Sequence, residues 1–190
     1  MTADGKSLMA RVQSGEPEAF TSFVEQYQPL VYRWSIGLVY DRDEADDVMQ
    51  EVFVLAYRKM GTFRDDGTME GWLYRITSRV AGKHRRKQKR RSLLGELPAA
   101  RPSREVYTTD PGGRVDREQA LLLIRESAAT LSHRQREVFD LVDLQGYSPV
   151  EAGEMLALKP VSVRANLFKA RASVRRAILS LHPRFLEGQR

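Results

Sequence analysis

Apolar side chains recur along this chain at intervals of three and four, the period of a helix with one buried face. Phe20, Phe23, Val24, Tyr27, Val31 and Trp34 form the first such stripe, and Pro29 within it predicts a kink or a division. Val48, Val52, Leu55, Ala56 and Met60 form the second. Asp41 and Glu44 have capping-box spacing at its start, and Gly61 is a natural stop. Phe63-Arg64-Asp65-Asp66-Gly67-Thr68 has the composition of an exposed turn. Thr68 is placed to cap a third helix whose inward face is Met69, Trp72, Leu73, Ile76 and Val80. One helical bundle is expected over residues 6–91.

From 92 to 117 the periodicity is lost. Pro98, Pro102, Pro111 and Gly112-Gly113 argue against any regular element, so this stretch reads as a flexible linker. Its ~25 residues reach on the order of 80–90 Å when extended, enough to let two flanking domains touch separate sites on a large partner. Four short helices are expected over 118–182. The first carries Ala120, Leu121, Ile124, Ala128 and Leu131. Ser132 with Gln135, and Ser148-Pro149 with Glu151, are two capping boxes, and Gly146 ends the helix between them. Ala152, Met155 and Leu156 then face inward. Pro160 opens the last helix, where Val163, Leu167, Ala170, Val174 and Ile178 pack while basic residues fan outward. A short helix, a brief turn and a longer basic helix is the order of a helix-turn-helix, and Gly153 allows its two helices close approach. The fold class expected is all-α: two small helical domains, the second containing a helix-turn-helix.

Charge sharpens this picture. The 190 residues carry 31 Lys and Arg against 25 Asp and Glu, a formal charge of +6. Six acids lie between Asp41 and Glu51 against the single Arg42, whereas eight Lys and Arg and no acid lie between Arg79 and Arg91. Lys159 to Arg176 has six basic residues and again no acid. Two cationic surfaces and one anionic surface suit more than one macromolecular partner. An acid-free recognition helix suits DNA, because a carboxylate there would face phosphate. Arg and Lys pair with phosphates or guanine edges, and Asn166 with an adenine. Solvation of helix faces is the bland reading of any one charge run.

Cysteine is absent, and His84, His133 and His182 are scattered, so thiol and zinc chemistry are excluded. No Gly-rich phosphate loop or nucleophile–base pair is present, and the carboxylates at 43–47 look like a helix start rather than a metal cage. No enzyme and no cofactor are expected. The longest apolar runs, such as Ala120 to Ile124, fall far short of the roughly 20 residues that cross a bilayer. With no apolar core in the opening residues, a cytoplasmic protein without membrane insertion is expected.

The order of these features resembles the extracytoplasmic-function (ECF) sigma factors, the two-domain members of the sigma-70 family of bacterial RNA polymerase. Asp43-Glu44-Ala45-Asp46-Asp47-Val48-Met49-Gln50-Glu51-Val52-Phe53 is similar to the family's acidic helix with its Gln-Glu pair and aromatic. Phe63-Arg64 followed by Gly71-Trp72-Leu73-Tyr74-Arg75-Ile76 is a second match. The third runs from Leu131-Ser132-His133-Arg134-Gln135-Arg136-Glu137-Val138 through Gly146-Tyr147-Ser148 to Lys169-Ala170-Arg171.

The resemblance implies a chain that binds core polymerase, through the clamp and flap, and lends it promoter specificity. On it, Asp47, Gln50, Glu51 and Phe53 contact the clamp of the largest subunit, with plain core packing the alternative for Phe53. Arg64, Asp65, Asp66 and Thr68 belong to the loop that captures a flipped minus-10 base, and Trp72, Arg75, Arg79 and Lys83 to the helix facing that DNA. Helical spacing with Leu73 and Ile76 favours a buried Trp72. Arg164, Asn166, Lys169 and Arg171 are the first minus-35 contacts in the major groove, with Arg175 and Arg176 on phosphate. An anti-sigma protein is a further expected partner. Lys159, Ala157 and Arg79 depart from the family's usual Ser, Gly and Asn, so promoter preference does not carry over. The rival readings are a dimeric helix-turn-helix regulator, which leaves the acidic helix and the linker without a job, and a nuclease, which lacks a metal cage.

Overall fold

The computed structural model describes residues 8, 10–63, 67–94, 127–128 and 130–181. Every regular element among them is helical. Helices α1 (Pro17–Val39), α2 (Arg42–Lys59) and α3 (Met69–Leu93) form a three-helix bundle. Their apolar stripes converge on Phe23, Val31, Trp34, Leu38, Val48, Val52 and Leu73, all within 1% of complete burial.

Caps set the boundaries of these helices. Asp41 Oδ1 accepts from the Glu44 amide at 3.1 Å, and Thr68 Oγ1 accepts from the Gly71 amide at 3.0 Å. A 3-10 turn over Met60–Thr62 ends α2, where the sequence had pointed to Gly61. Pro29 neither divides nor ends α1, which runs unbroken through it. Pro29 lies on the exposed side of the helix, and the carbonyl that it deprives of a donor is that of exposed Glu25, which water can satisfy.

The C-terminal unit contains α4 (His133–Phe139), which continues as a π turn over Asp140–Leu144, then α5 (Pro149–Leu156) and α6 (Pro160–Leu181). Both capping boxes form, Ser132 with Gln135 and Ser148 with Glu151. Gly146 takes φ +80° after the π turn. Between α5 and α6, Ala157 occupies the left-handed region at φ 53°, the conformation glycine adopts most readily. The helix-turn-helix is therefore present, with Val163, Leu167, Ala170 and Val174 buried as its spacing predicts.

The two units pack against each other. Val138, Leu141, Met155, Leu156, Val163 and Leu167 belong to the same apolar cluster as Val31, Trp34 and Leu73. A smaller cluster gathers Tyr40 from the end of α1 with Ala128, Leu131, Phe139, Ala170 and Val174. Of the expected linker, Ser92 and Leu93 continue α3, Leu94 forms a turn, and residues 95–117 lie outside the described residues, as does the expected helix start at Ala120, Leu121 and Ile124.

Candidate nucleic-acid interface

The acidic start of α2 faces outward. Asp46, Asp47 and Gln50 are exposed, while Ala45, Val48 and Val52 beneath them are fully buried. Glu51 lies at the margin and reaches α3: its carboxylate accepts from Lys83 Nζ at 2.8 Å and lies 3.0 Å from His84 Nε2. The Lys83 and His84 hydrogen bonds hold this carboxyl below its usual pKa. Phe53 is not on this surface. It is 8% exposed and packs edge-on against Phe23 at 6.4 Å, so it supports the helix from beneath and offers no ring to a partner.

Along α3 the expected DNA-facing residues are placed unequally. Thr68 spends its hydroxyl on the helix cap. Trp72 is half-buried, its ring edge-on to Phe63 at 5.6 Å, which makes it a wall of the bundle rather than a free stacking platform. Arg75 donates to the Met155 carbonyl of α5 at 3.0 Å. Arg79 and Lys83 are exposed. Arg64, Asp65 and Asp66 lie outside the described residues.

The outer face of α6 is cationic and open. Arg164, Lys169 and Arg175 are exposed on it, over the buried row Val163, Leu167, Ala170 and Val174. Asn166 is half-buried and donates Nδ2 to the Ser162 carbonyl one turn back at 2.8 Å. Arg171 forms a two-pronged pair with Asp143 of the π turn, at 2.6 and 3.0 Å, and that pairing raises its pKa further. Its guanidinium braces α6 against the preceding element, whereas Arg164 and Lys169 are exposed on the same helix. Sequence reasoning also passed over Val161 and Phe168. They are 72% and 76% exposed on the stripe that carries Arg164, a placement suited to apolar contact with thymine methyl groups. An aromatic outside the packing row of a basic helix was the available signal.

A second group that spacing did not reveal lies where the units meet. Tyr74 Oη donates to Asp140 Oδ2 at 2.8 Å, and Ser78 Oγ donates to Glu137 Oε1 at 2.7 Å. All four residues are buried. Arg85, desolvated to a pKa of about 10, donates to the Leu38 carbonyl at 2.8 Å. Buried Arg136 donates to the Ala128 carbonyl and stands 5.7 Å over the Tyr40 ring. Glu137 and Asp140 fall among the apolar positions Val138, Phe139 and Leu141, and carboxylates on an inward face were the legible hint.

No described helix is long and apolar enough to cross a membrane. Residues 23–91 match the Sigma-70 region 2 family and residues 121–174 match Sigma-70, region 4. The RNA polymerase sigma-H factor of Pseudomonas aeruginosa is 28% identical over 184 residues, covering 93% of this chain and 94% of its own. The ECF RNA polymerase sigma-E factor of Escherichia coli K12 is 29% identical over 177 residues, covering 88% and 90%. In fold, the chain is similar to the sigma factor RpoE of Bartonella quintana, solved in complex with the anti-sigma factor NepR. That similarity has a TM-score of 0.57 and 20% identity, over 86% of this chain and 98% of the other. With an acidic helix in the region 2 bundle and a basic helix-turn-helix in region 4, the chain belongs to the sigma-70 family, in its extracytoplasmic-function group.

Proposed function

We propose that this sigma factor docks on core RNA polymerase through the exposed acidic start of α2 and holds two stretches of promoter DNA with its basic helices. The observation that supports this best is the separation of charge: Asp46, Asp47 and Gln50 are exposed on one helix, Arg164, Lys169 and Arg175 on another. In this reading Asp47, Gln50 and Glu51 meet the clamp, with Phe53 holding their helix in place. The minus-35 duplex lies along α6, where Arg164 and Lys169 reach base edges, Phe168 meets thymine methyls and Arg175 neutralises phosphate.

Arg75, Arg79 and Lys83 track the minus-10 strand, and the turn from Arg64 to Thr68 receives a flipped base. Flipping costs a few kcal/mol of stacking and pairing, which enclosure of the base and a basic groove offset. The chain works by binding alone, in the cytoplasm, and the polymerase performs the chemistry. Because the Bartonella quintana neighbour was solved with an anti-sigma factor, an anti-sigma protein is proposed as the restraining partner of this chain too.

The test is to mix purified chain with core polymerase, follow comigration by gel filtration, and run transcription on promoters mapped after overproduction of the chain. Comigration and discrete starts are expected, and Asp47→Arg is expected to weaken core binding at least tenfold. Failure to comigrate, together with tight operator binding as a dimer, would establish the regulator reading in its place.

A further inference from the structure

The basic helix α6 carries no acid between Lys159 and Arg176, yet the fold brings one to its surface. Arg164, Phe168, Arg171 and Arg175 follow one another at intervals of four, three and four, so they form a single stripe about 16 Å long. All four are exposed. Arg171, in the middle, is gripped by Asp143 of the π turn: its Nη2 donates to Oδ1 at 2.6 Å and its Nε to Oδ2 at 3.0 Å. This two-pronged fit is the one a guanidinium otherwise offers a phosphate.

The backbone places Asp143 there. The π turn over Asp140–Leu144 closes with the Gln145 amide on the Asp140 carbonyl, five residues back, at 2.9 Å, and the Tyr147 amide bonds the Leu141 carbonyl at 2.9 Å. Asp140 and Leu141 are completely buried and anchor the turn, while the Asp143 side chain keeps 20% of its surface and Arg171 keeps 60%. The carboxylate is thus fixed at the edge of the stripe, one helical turn from buried Leu167 and Val174.

Its effect on DNA follows from charge. A guanidinium that neutralises a phosphate strengthens binding to any sequence, because the phosphates carry no sequence information. Asp143 withdraws the central arginine of the stripe from that role and sets a negative charge where a phosphate would approach. On the correct site, base contacts fix the register of α6, and Arg171 at the flank stays on Asp143. On random DNA no base contact fixes the register, the helix settles where phosphates match it best, and a freed Arg171 would add a contact.

We infer that Asp143 is a specificity-determining residue of the minus-35 surface: by holding Arg171 off the phosphates it suppresses binding to random duplex more than binding to the promoter. The inference deepens the sigma-factor reading and rests on it.

The test uses the full chain, alone and in complex with core polymerase. Anisotropy is followed across a KCl series on a mapped promoter duplex and on a random duplex of equal length. Asp143→Asn keeps the side-chain shape and should melt within a few degrees of the parent. It should bind random duplex severalfold more tightly at low salt, with the slope of log K against log salt steeper by about 0.9, the signature of one added phosphate contact. Promoter affinity should change much less, so that the ratio of promoter to random binding falls severalfold. Combining Asp143→Asn with Arg171→Gln should undo the gain, because no guanidinium is left to release. A pair that merely braces α6 gives a different pattern: promoter binding falls while random binding and the salt slope stay as they were. That pattern overturns the inference, as does an unchanged ratio or a gain that survives in the double variant. If the parent chain with polymerase binds promoter and random duplex alike, the sigma-factor reading fails and the inference falls with it.

Discussion

Gly153→Ala is a demanding test of the helix-turn-helix geometry. A Cβ at this position would sit 2.7 Å from the Leu158 carbonyl oxygen, a backbone atom that no rotamer change moves. The same turn is tied back by the Leu158 amide, which donates to the Gly153 carbonyl at 2.7 Å. Relief therefore requires the turn to lift, which strains the packing of α6 on α5 and lengthens that hydrogen bond. Overpacking of this kind costs about 1–3 kcal/mol and the weakened bond about 1 kcal/mol more. Alanine returns about 1 kcal/mol through its better helix propensity. A net loss of about 1–3 kcal/mol is expected, a drop of roughly 2–4 °C in Tm for each kcal/mol in a chain of this size. Thermal and urea denaturation followed by far-UV circular dichroism measure it directly, and anisotropy with a minus-35 duplex should show weaker binding because Arg164 and Lys169 are re-aimed. If the variant melts at or above the parent temperature, the close approach does not constrain the motif and the reasoning fails.

Ala157→Gly, four residues on, should act in the opposite direction. An L-residue in the left-handed region costs about 1–2 kcal/mol, of which roughly half is given back as unfolded-chain entropy, so a gain of about 0.5–1 kcal/mol is expected in the same melts. Ser148→Ala removes the cap that accepts from the Glu151 amide at 3.2 Å and should cost about 0.5–2 kcal/mol of stability. Arg164→Ala should weaken specific duplex binding by about 1–3 kcal/mol, as measured by anisotropy, and relax preference at one base pair. Arg171→Ala should weaken it less, because its guanidinium is already committed to Asp143; equal losses would refute that assignment. Glu51 has a lowered carboxyl pKa in the folded chain, so its pairing contributes above the ordinary glutamate pKa and is lost as pH falls through the lowered one. Glu51→Gln should thus cost about 0.5–1 kcal/mol at neutral pH and nothing in strong acid, a difference that pH-dependent urea melts resolve.

Local signals were legible where a local rule decides the outcome. Ser132, Ser148 and Thr68 cap the helices at which their spacing placed them, because a cap needs only a side-chain oxygen and an amide two or three residues away. The inward rows of α3 and α6 follow the helical period for the same reason. Pro29 does not divide its helix, because its cost depends on which side of the helix faces water, and that is settled by tertiary packing. Spacing left Phe53 open between partner contact and core packing, and it could not show the Asp143 that pairs with Arg171, because Phe23 and Asp143 are brought to them from elsewhere in the chain. The seam between the units was the least legible feature, since Tyr74 and Asp140 are 66 residues apart and only the folded chain brings them together.

Where the two units meet, they share one apolar cluster. Met155 and Leu156 cover α3, but glycine backbone at Gly37 and Gly71 meets them and the π turn where larger side chains would interlock. Trp34, Leu73 and Val52 are completely buried in the packed chain. The two units are thus joined both by apolar packing, with Val138, Leu141, Met155 and Leu156 in one cluster with Val31, Trp34 and Leu73, and by the buried Tyr74–Asp140 and Ser78–Glu137 hydrogen bonds.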